Sequence, residues 1–418
     1  MKVWFRLSLY IQIFIGLGLG VAAGLVFGEK MSALTPVGDI FINLLKMVIV
    51  PVVFFSLIAG TTSLSSATKL LKIGVKTIVL FLGTGFCAVV IGLVVANVVR
   101  PGEGLSLPSP EGSLEMATKM PGVVEQIVAI VPTNIIQSLA NADMLQIICF
   151  AIFFGCALLM LGERAKPINA AIATCAEAMY KIVGWIMMLS PYAIFCIMGS
   201  VVGQFGWDVL KTMGTFLFTM YGAVIIHIAI VYTLIMVFVA KVSPIKFFRK
   251  AFKAWIVAFS VCSSNAALPV TMKVAEEDLG VPNETASFIL PLGATCNMNG
   301  SAIYFATVTI FVAQIYNIDF SLGQQVTLLL TAVLMSVGCA AIPNAALVLS
   351  VALLSGMGVP AEPILIITGM YRLIDQAETS TNVLGDLATT VAVSATEKDL
   401  DLGVFNDMNL EEERAAAA

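Results

Sequence analysis

Six polar side chains recur on one face of an otherwise apolar stretch near the C-terminus: Arg372, Asp375, Glu378, Thr379, Asn382 and Asp386. Counted from Asp375 they fall at −3, 0, +3, +4, +7 and +11. On an α-helix, at about 100° per residue, all six lie within roughly ±60° of the Asp375 direction. The stretch runs from about 363 to 393, long enough to cross a bilayer. A carboxylate at mid-membrane costs about 2.5–3.5 kcal/mol on insertion scales, so these acids must meet cations, backbone donors or a water-filled cavity. An internal salt-bridge network with Arg372 would leave at least two acids without a basic neighbour in sequence. Binding of an amine and one or more metal cations satisfies all three. Asp386 is a hard oxygen ligand suited to Na+. Asp375 can accept from a substrate ammonium in a charge-assisted hydrogen bond.

The elements around this stripe are those of a membrane protein. The 418 residues are 59% hydrophobic and 11% charged, and the mean hydropathy is +0.99. Soluble domains carry about a quarter charged residues, which excludes a soluble fold of this length. No basic cluster interleaved with aromatics points to nucleic acid. Apolar runs of spanning length recur at roughly 7–27, 39–60, 74–99, 144–162, 181–202 and 212–240. The first carries Gly16, Gly18, Gly20 and Gly24, a small-residue face for close helix contact. It reads as a retained first helix rather than a cleaved leader. The last residues, EEERAAAA, read as a disordered tail. The eight cysteines form no CxxC pair and read as buried thiols. His227, the single histidine, lies in an apolar run and reads as a packing residue.

Basic residues alternate between connections. One side collects Lys2, Arg6, Lys69, Lys72, Lys76, Arg164, Lys166, Lys181, Lys241, Lys246, Arg249, Lys250 and Lys253. The other has Lys30, Arg100, Lys119 and Lys211. The positive-inside rule puts the N-terminus in the cytoplasm and the Pro- and Gly-rich loop at 101–132 outside. After Lys253 the apolar segments shorten and are interrupted by small polar residues at 262–269, 293–301 and 336–344. Irregular backbone at membrane depth is tolerated only when buried in protein or lining a cavity. The first and third interruptions, ending near Pro269 and Pro343, read as two re-entrant helical hairpins. The serine-rich hairpin offers open N–H groups and a helix N-terminus, a cradle for a carboxylate. Carbonyls freed around 297–299 suit Na+. Together these groups recognise an α-amino acid zwitterion.

At these residues the chain resembles the glutamate transporter family, the dicarboxylate/amino acid:cation symporters. The resemblance rests on Asn43-Leu44-Leu45-Lys46-Met47-Val48-Ile49-Val50-Pro51, Leu268-Pro269-Val270-Thr271-Met272, Pro291-Leu292-Gly293-Ala294-Thr295 and Asn382-Val383-Leu384-Gly385-Asp386, in that order. It implies an all-α integral membrane fold with eight transmembrane helices, two re-entrant hairpins and inverted repeats. It implies a homotrimer in the plasma membrane, working by an elevator mechanism. Residues 1–73 and 101–209 would form the scaffold, 74–100 and 210–405 the transport domain, and 406–418 a tail. No cofactor is implied. Na+ is the expected coupling ion, with H+ as the alternative. The residues matching the family's substrate site are Cys262, Ser263, Ser264, Ser301, Ile342, Ala346, Asp375, Glu378, Thr379 and Asn382. Gly293, Asn297, Asn382 and Asp386 match one sodium site, and Thr295, Ser336, Val337 and Cys339 a second.

Three departures carry information. Where members that carry acidic substrates have an arginine on the last helix, this chain has Glu378. An anion there repels a side-chain carboxylate, so a non-acidic amino acid is expected, cationic slightly ahead of neutral. The arginine common in the first hairpin of prokaryotic members is Cys262. The aspartate of a third sodium site is Asn299, and its partners align with Phe81 and Gly85, while Thr84 is retained. Coupling to fewer sodium ions, or to protons, is expected. An intramembrane aspartyl protease would need two facing aspartates sharing a proton, and no Tyr-Asp partner lies in an earlier apolar segment. A channel would need a continuous pore, which two gated hairpins oppose.

Overall fold

With no water in the hydrocarbon core, a spanning segment must satisfy its own backbone groups, and the apolar runs do so as helices. The structure, a computed structural model, describes residues 9–62, 68–105, 128, 131–141, 143–339, 341 and 343–407. Every regular element among the described residues is helical. Lys2, Arg6, Lys119, Ala340, Ile342, most of the loop expected at 101–132 and the tail beyond 407 lie outside them.

The N-terminal half contains α1 (Leu9–Phe27), α2 (Thr35–Thr62) and α3 (Thr68–Val99). A short α4 (Ile135–Asn141) leads to α5 (Met144–Leu161), α6 (Lys166–Met188) and α7 (Ser190–Phe205). Helix α1 lies along α7, and α2 packs on α5 and α6. The α1 contact is a glycine seam. A Cβ on Gly20 would fall 2.6 Å from the Phe195 carbonyl oxygen, and one on Gly24 would fall 2.7 Å from that of Gly199. Gly16 approaches the Pro191 carbonyl in the same way. Gly18 departs from the expected glycine face and meets open space, because a residue two positions away points elsewhere on a helix. Gly24→Leu should therefore lower the thermal midpoint of the detergent-purified protein, by overpacking worth about 1–3 kcal/mol. Gly18→Leu should leave it unchanged, and equal melting of the two variants would refute the seam.

The single crossing expected at 181–202 is corrected. It is split at Leu189 between α6 and α7, and the run Cys149–Ile186 meets Ser190–Gln204 at 50°. Pro191, at the start of α7, has no N–H to give the carbonyl four residues back, so the helix bends there. By length and apolarity alone, four helices among the described residues can cross a membrane, or five if the bent pair is one span. The last long helix fails that test because its buried face is the polar stripe. Burial separates the rest. In an apolar 18-residue stretch of Ile11–Phe41 22% of the residues are buried, against 94% in one within Asn283–Ile315, which is therefore central.

The C-terminal half begins with α8 (Trp207–His227), which continues as π turns at Ile228–Tyr232 and Ile235–Ala240. Then come α9 (Pro244–Val261), α10 (Ser264–Lys273), α11 (Asn283–Cys296) and α12 (Asn299–Ile315). They are followed by α13 (Leu322–Val337), α14 (Ala345–Gly356), α15 (Ile364–Thr368) and α16 (Tyr371–Glu397). The interruptions are shorter than expected. The first is only Cys262 and Ser263, because the Ser263 side chain caps α10 by accepting from Ala266 N at 3.2 Å. Pro269 sits inside α10 rather than ending a turn. The second is Asn297 and Met298. The third ends at Asn344, whose φ of 66° is tolerated by an asparagine better than by most residues. The expected segment 363–393 begins as the separate α15 and resumes at Tyr371. Helix α16 is packed by α9, α11, α12 and the second π turn.

Candidate functional site

Helix α16 turns its polar face inward, and nearly every residue from Ile374 to Ser394 is buried. Two broken segments close over it. Ser263 Oγ donates to the Ala341 carbonyl at 2.7 Å, so the tip between α9 and α10 touches the tip between α13 and α14. Beneath that contact lies a small, partly open cavity. Cys262, Ser263, Ser264, Ser301, Ala346, Asp375, Glu378, Thr379 and Asn382 line it, joined by Met298, Cys339, Ala341 and Ala345. The structure thus brings together every described residue expected to meet substrate.

The acids are held differently. Asp375 Oδ2 accepts from Asn344 N at 3.0 Å, and its Oδ1 from Thr379 Oγ1 at 3.1 Å. Glu378 accepts at both oxygens from hydroxyls, Tyr371 OH and Ser301 Oγ, each at 2.9 Å. Arg372 donates to the Ser260 carbonyl on α9 and is not among the residues that line the cavity. Among the described residues the lining therefore contains two carboxylates and no lysine, arginine or histidine. Two helix N-termini, those of α10 and α14, reach the same cavity through Ser264 and Ala345. The first-turn N–H groups of a helix favour an anion.

Deeper along α16, Asp386 is 2% exposed and accepts from Asn297 Nδ2 at 2.8 Å. Gly293 lies against it, since a Cβ there would come within 2.5 Å of Asp386 Oδ1. These three members of the first expected cation set are together. Asn382 is turned toward the cavity, where its Oδ1 accepts from Gly300 N at 2.7 Å. In the second set, the Thr295 hydroxyl donates to Leu292 O at 2.9 Å and the Ser336 hydroxyl to Val333 O at 2.8 Å, each within its own helix. Helices α11 and α13, which carry them, pack against each other. Cys339 lines the same cavity as Asp375 and Glu378, with Sγ 4.0 Å from Ser301 Oγ. Among the described residues no three His, Cys, Asp or Glu side chains converge as metal ligands. Asn299 donates through Nδ2 to Tyr232 OH at 3.1 Å, and Tyr232 OH donates to Thr381 O at 2.8 Å. Its Oδ1 is buried without a hydrogen-bond partner among the described residues. Thr84 Oγ1 lies 3.5 Å from Asn297 Oδ1.

Sequence reasoning missed Tyr371 and Tyr232. Tyr371 stands seven residues before Glu378, two helical turns away and on the same face, which is the signal that could have found it. Tyr232 has no such signal, because its partners lie 67 and 149 positions along the chain. His227 packs edge-on against Tyr232 with ring centroids 4.9 Å apart, as expected of a packing residue.

Residues 9–396 match the model of the sodium:dicarboxylate symporter family. The chain is 34% identical to a proton/sodium-glutamate symport protein of Bacillus subtilis, over 97% of this chain and 95% of that one. It is 30% identical to a proton/glutamate-aspartate symporter of Escherichia coli, over 95% and 94% of the two. It is 29% identical to a C4-dicarboxylate transport protein of Bacillus subtilis, over 94% of each. These relatives are transporters rather than enzymes, and they match across both halves of the fold. With this coverage and an all-helical, apolar architecture, the chain belongs to the sodium:dicarboxylate symporter family.

Proposed function

We propose that the protein is a cation-coupled secondary transporter for a non-acidic amino acid, a cationic side chain being favoured over a neutral one. The names of its relatives point to glutamate, aspartate and C4-dicarboxylates, and this reading departs from them for one reason. A cavity lined by Asp375 and Glu378 and, among the described residues, by no basic side chain offers nothing to pair with a second substrate carboxylate. Asp375 takes the substrate ammonium. The N-termini of α10 and α14, with Ser263 and Ser264, take the α-carboxylate. Glu378, with Cys262, Ser301 and Ala346 around it, faces the side chain. A neutral polar side chain is the second reading, favoured by the two hydroxyls that already donate to Glu378.

A buried carboxylate with one neutral partner needs a compensating charge, and Asp386 is such a group. A sodium ion at Gly293, Asn297, Asn382 and Asp386, or a proton, would supply it on each transport cycle. A second ion would use carbonyls near Thr295, Ser336, Val337 and Cys339. The two tips that meet at Ser263 and Ala341 belong to re-entrant hairpins, the second of which is the gate. The broken C-terminal half, with α3, moves as a unit against α1, α2 and α5–α7 in a homotrimer whose N-terminus is cytoplasmic. Eight transmembrane helices complete this arrangement.

Uptake into proteoliposomes, across a panel of amino acids and with Na+ and pH gradients varied independently, tests the substrate. Aspartate carried better than lysine, alanine and serine would sink the reading. The coupling ion has its own test. Asn299→Asp places a carboxylate where the side chain is 1% exposed and Oδ1 lacks a partner among the described residues. Such a charge recruits a cation. The variant should need about one more Na+ per substrate, read from the steepness of Na+-dependent uptake and from reversal potentials. An unchanged coefficient would show that Asn299 already ligates sodium or never does.

A further inference from the structure

Glu378 is gripped from two elements at once. Tyr371 OH, from the first turn of its own helix, donates to Oε1, and Ser301 Oγ, from α12, donates to Oε2. A carboxylate offers about four acceptor positions, so two remain for the cavity. The phenol is itself fixed. Tyr371 is 1% exposed, and its ring meets that of Tyr304 edge-on, with centroids 5.3 Å apart at 70°. Tyr304 OH lies 3.2 Å from Ser350 Oγ on α14. Three helices therefore set where the Tyr371 hydroxyl stands, and that hydroxyl sets which way the Glu378 carboxylate faces.

We infer that Tyr371 is a positioning residue for substrate selection. It holds the Glu378 carboxylate with its remaining lone pairs toward the substrate side chain, so that a side chain ending in an N–H or O–H donor is preferred over its donorless counterpart. This rests on the reading of Glu378 given above. A carboxylate held by Ser301 alone would turn more freely about its last torsion, which is broad and weakly restrained. It would then meet a donor in only a fraction of its orientations. Side chains with no donor gain nothing from the alignment and lose nothing without it. The relay through Tyr304 and Ser350 ties this alignment to α14, so the same hydroxyl is in place when the second tip lies over the cavity.

Tyr371→Phe keeps the ring contact with Tyr304 and removes only the hydroxyl. The experiment measures KM and Vmax in proteoliposomes for lysine against norleucine, or serine against alanine if lysine is not carried. It uses the wild type, Tyr371→Phe, Glu378→Gln and the double variant. Loss of a hydrogen bond to a charged group should raise KM about tenfold for the donor-bearing substrate and less than about twofold for the donorless one, with Vmax held. In the Glu378→Gln background, Tyr371→Phe should change the ratio no further. Equal KM increases for both substrates, a fall in Vmax alone, or a ratio change that persists in that background would overturn the inference and mark Tyr371 as structural. A wild type selective for non-acidic amino acids whose ratio Tyr371→Phe leaves untouched overturns the positioning role alone. A wild type that prefers aspartate overturns the reading of Glu378, and the positioning role with it.

Discussion

Glu378→Arg is expected to reverse the substrate preference, lowering lysine uptake relative to aspartate by on the order of 100-fold or more. The position lines the cavity, is 2% exposed and stands one helical turn from Asp375. A unit charge about 4 Å from another contributes about 4 kcal/mol at an effective dielectric near 20, and the substitution changes the local charge by two units. Dehydration of the second substrate carboxylate opposes part of that swing, which is why the expected factor is smaller than the Coulomb sum. The larger arginine also leaves the Tyr371 and Ser301 hydroxyls without their acceptor, so thermal stability must be followed beside transport. Competition between labelled lysine and labelled aspartate in proteoliposomes gives the ratio directly. If the ratio stays at the wild-type value in a folded variant, Glu378 does not face the side chain.

Asp375→Asn should instead depress uptake of every amino acid together, by on the order of 10²–10³, with the ratios between substrates preserved. The carboxylate accepts from Asn344 N and from Thr379 Oγ1, and its charge is what an ammonium would meet. Asparagine keeps the shape but not the charge, and its NH2 cannot accept from both donors. Truncating one partner of a buried, hydrogen-bonded charge pair costs about 2–5 kcal/mol, largely because the other charge is left unpaired. Here that orphan would be the substrate's ammonium. Kinetic constants for lysine, serine and alanine in the variant decide the matter. A loss confined to lysine would move the ammonium contact elsewhere and assign Asp375 to the side chain. The contrast with Glu378 is the useful part, since one acid should act on all substrates and the other on their differences.

Much of this site is legible in the linear chain. Asp375, Glu378, Thr379, Asn382 and Asp386 share one helix, and a helix places its own residues by a fixed angle, so their common face follows from counting. The broken segments are legible for a related reason. Serines, asparagines, glycines and prolines clustered in an apolar run mark where a helix cannot continue comfortably. Their extent is less legible. The Ser263 cap restarts α10 at once, and Pro269 is absorbed into that helix, because capping depends on where one hydroxyl points.

What counting could not supply is every contact between helices. Asn297 meets Asp386 across 89 positions, and Ser263 meets Ala341 across 78. Cys339 matched a cation ligand but lines the cavity with Asp375 and Glu378, and the guanidinium of Arg372 donates to the Ser260 carbonyl. Such outcomes depend on which rotamers the packing admits and on how closely backbones approach, as where Gly300 lies against the backbone of Glu378. That this chain is a membrane protein with an acidic stripe on its last long helix can be read along the chain, because hydropathy and helical period are properties of neighbours. Only the tertiary structure decided that Glu378 faces a cavity without a basic side chain and is held there by Tyr371 and Ser301, because side-chain direction in a close-packed interior is settled by residues far away in the chain.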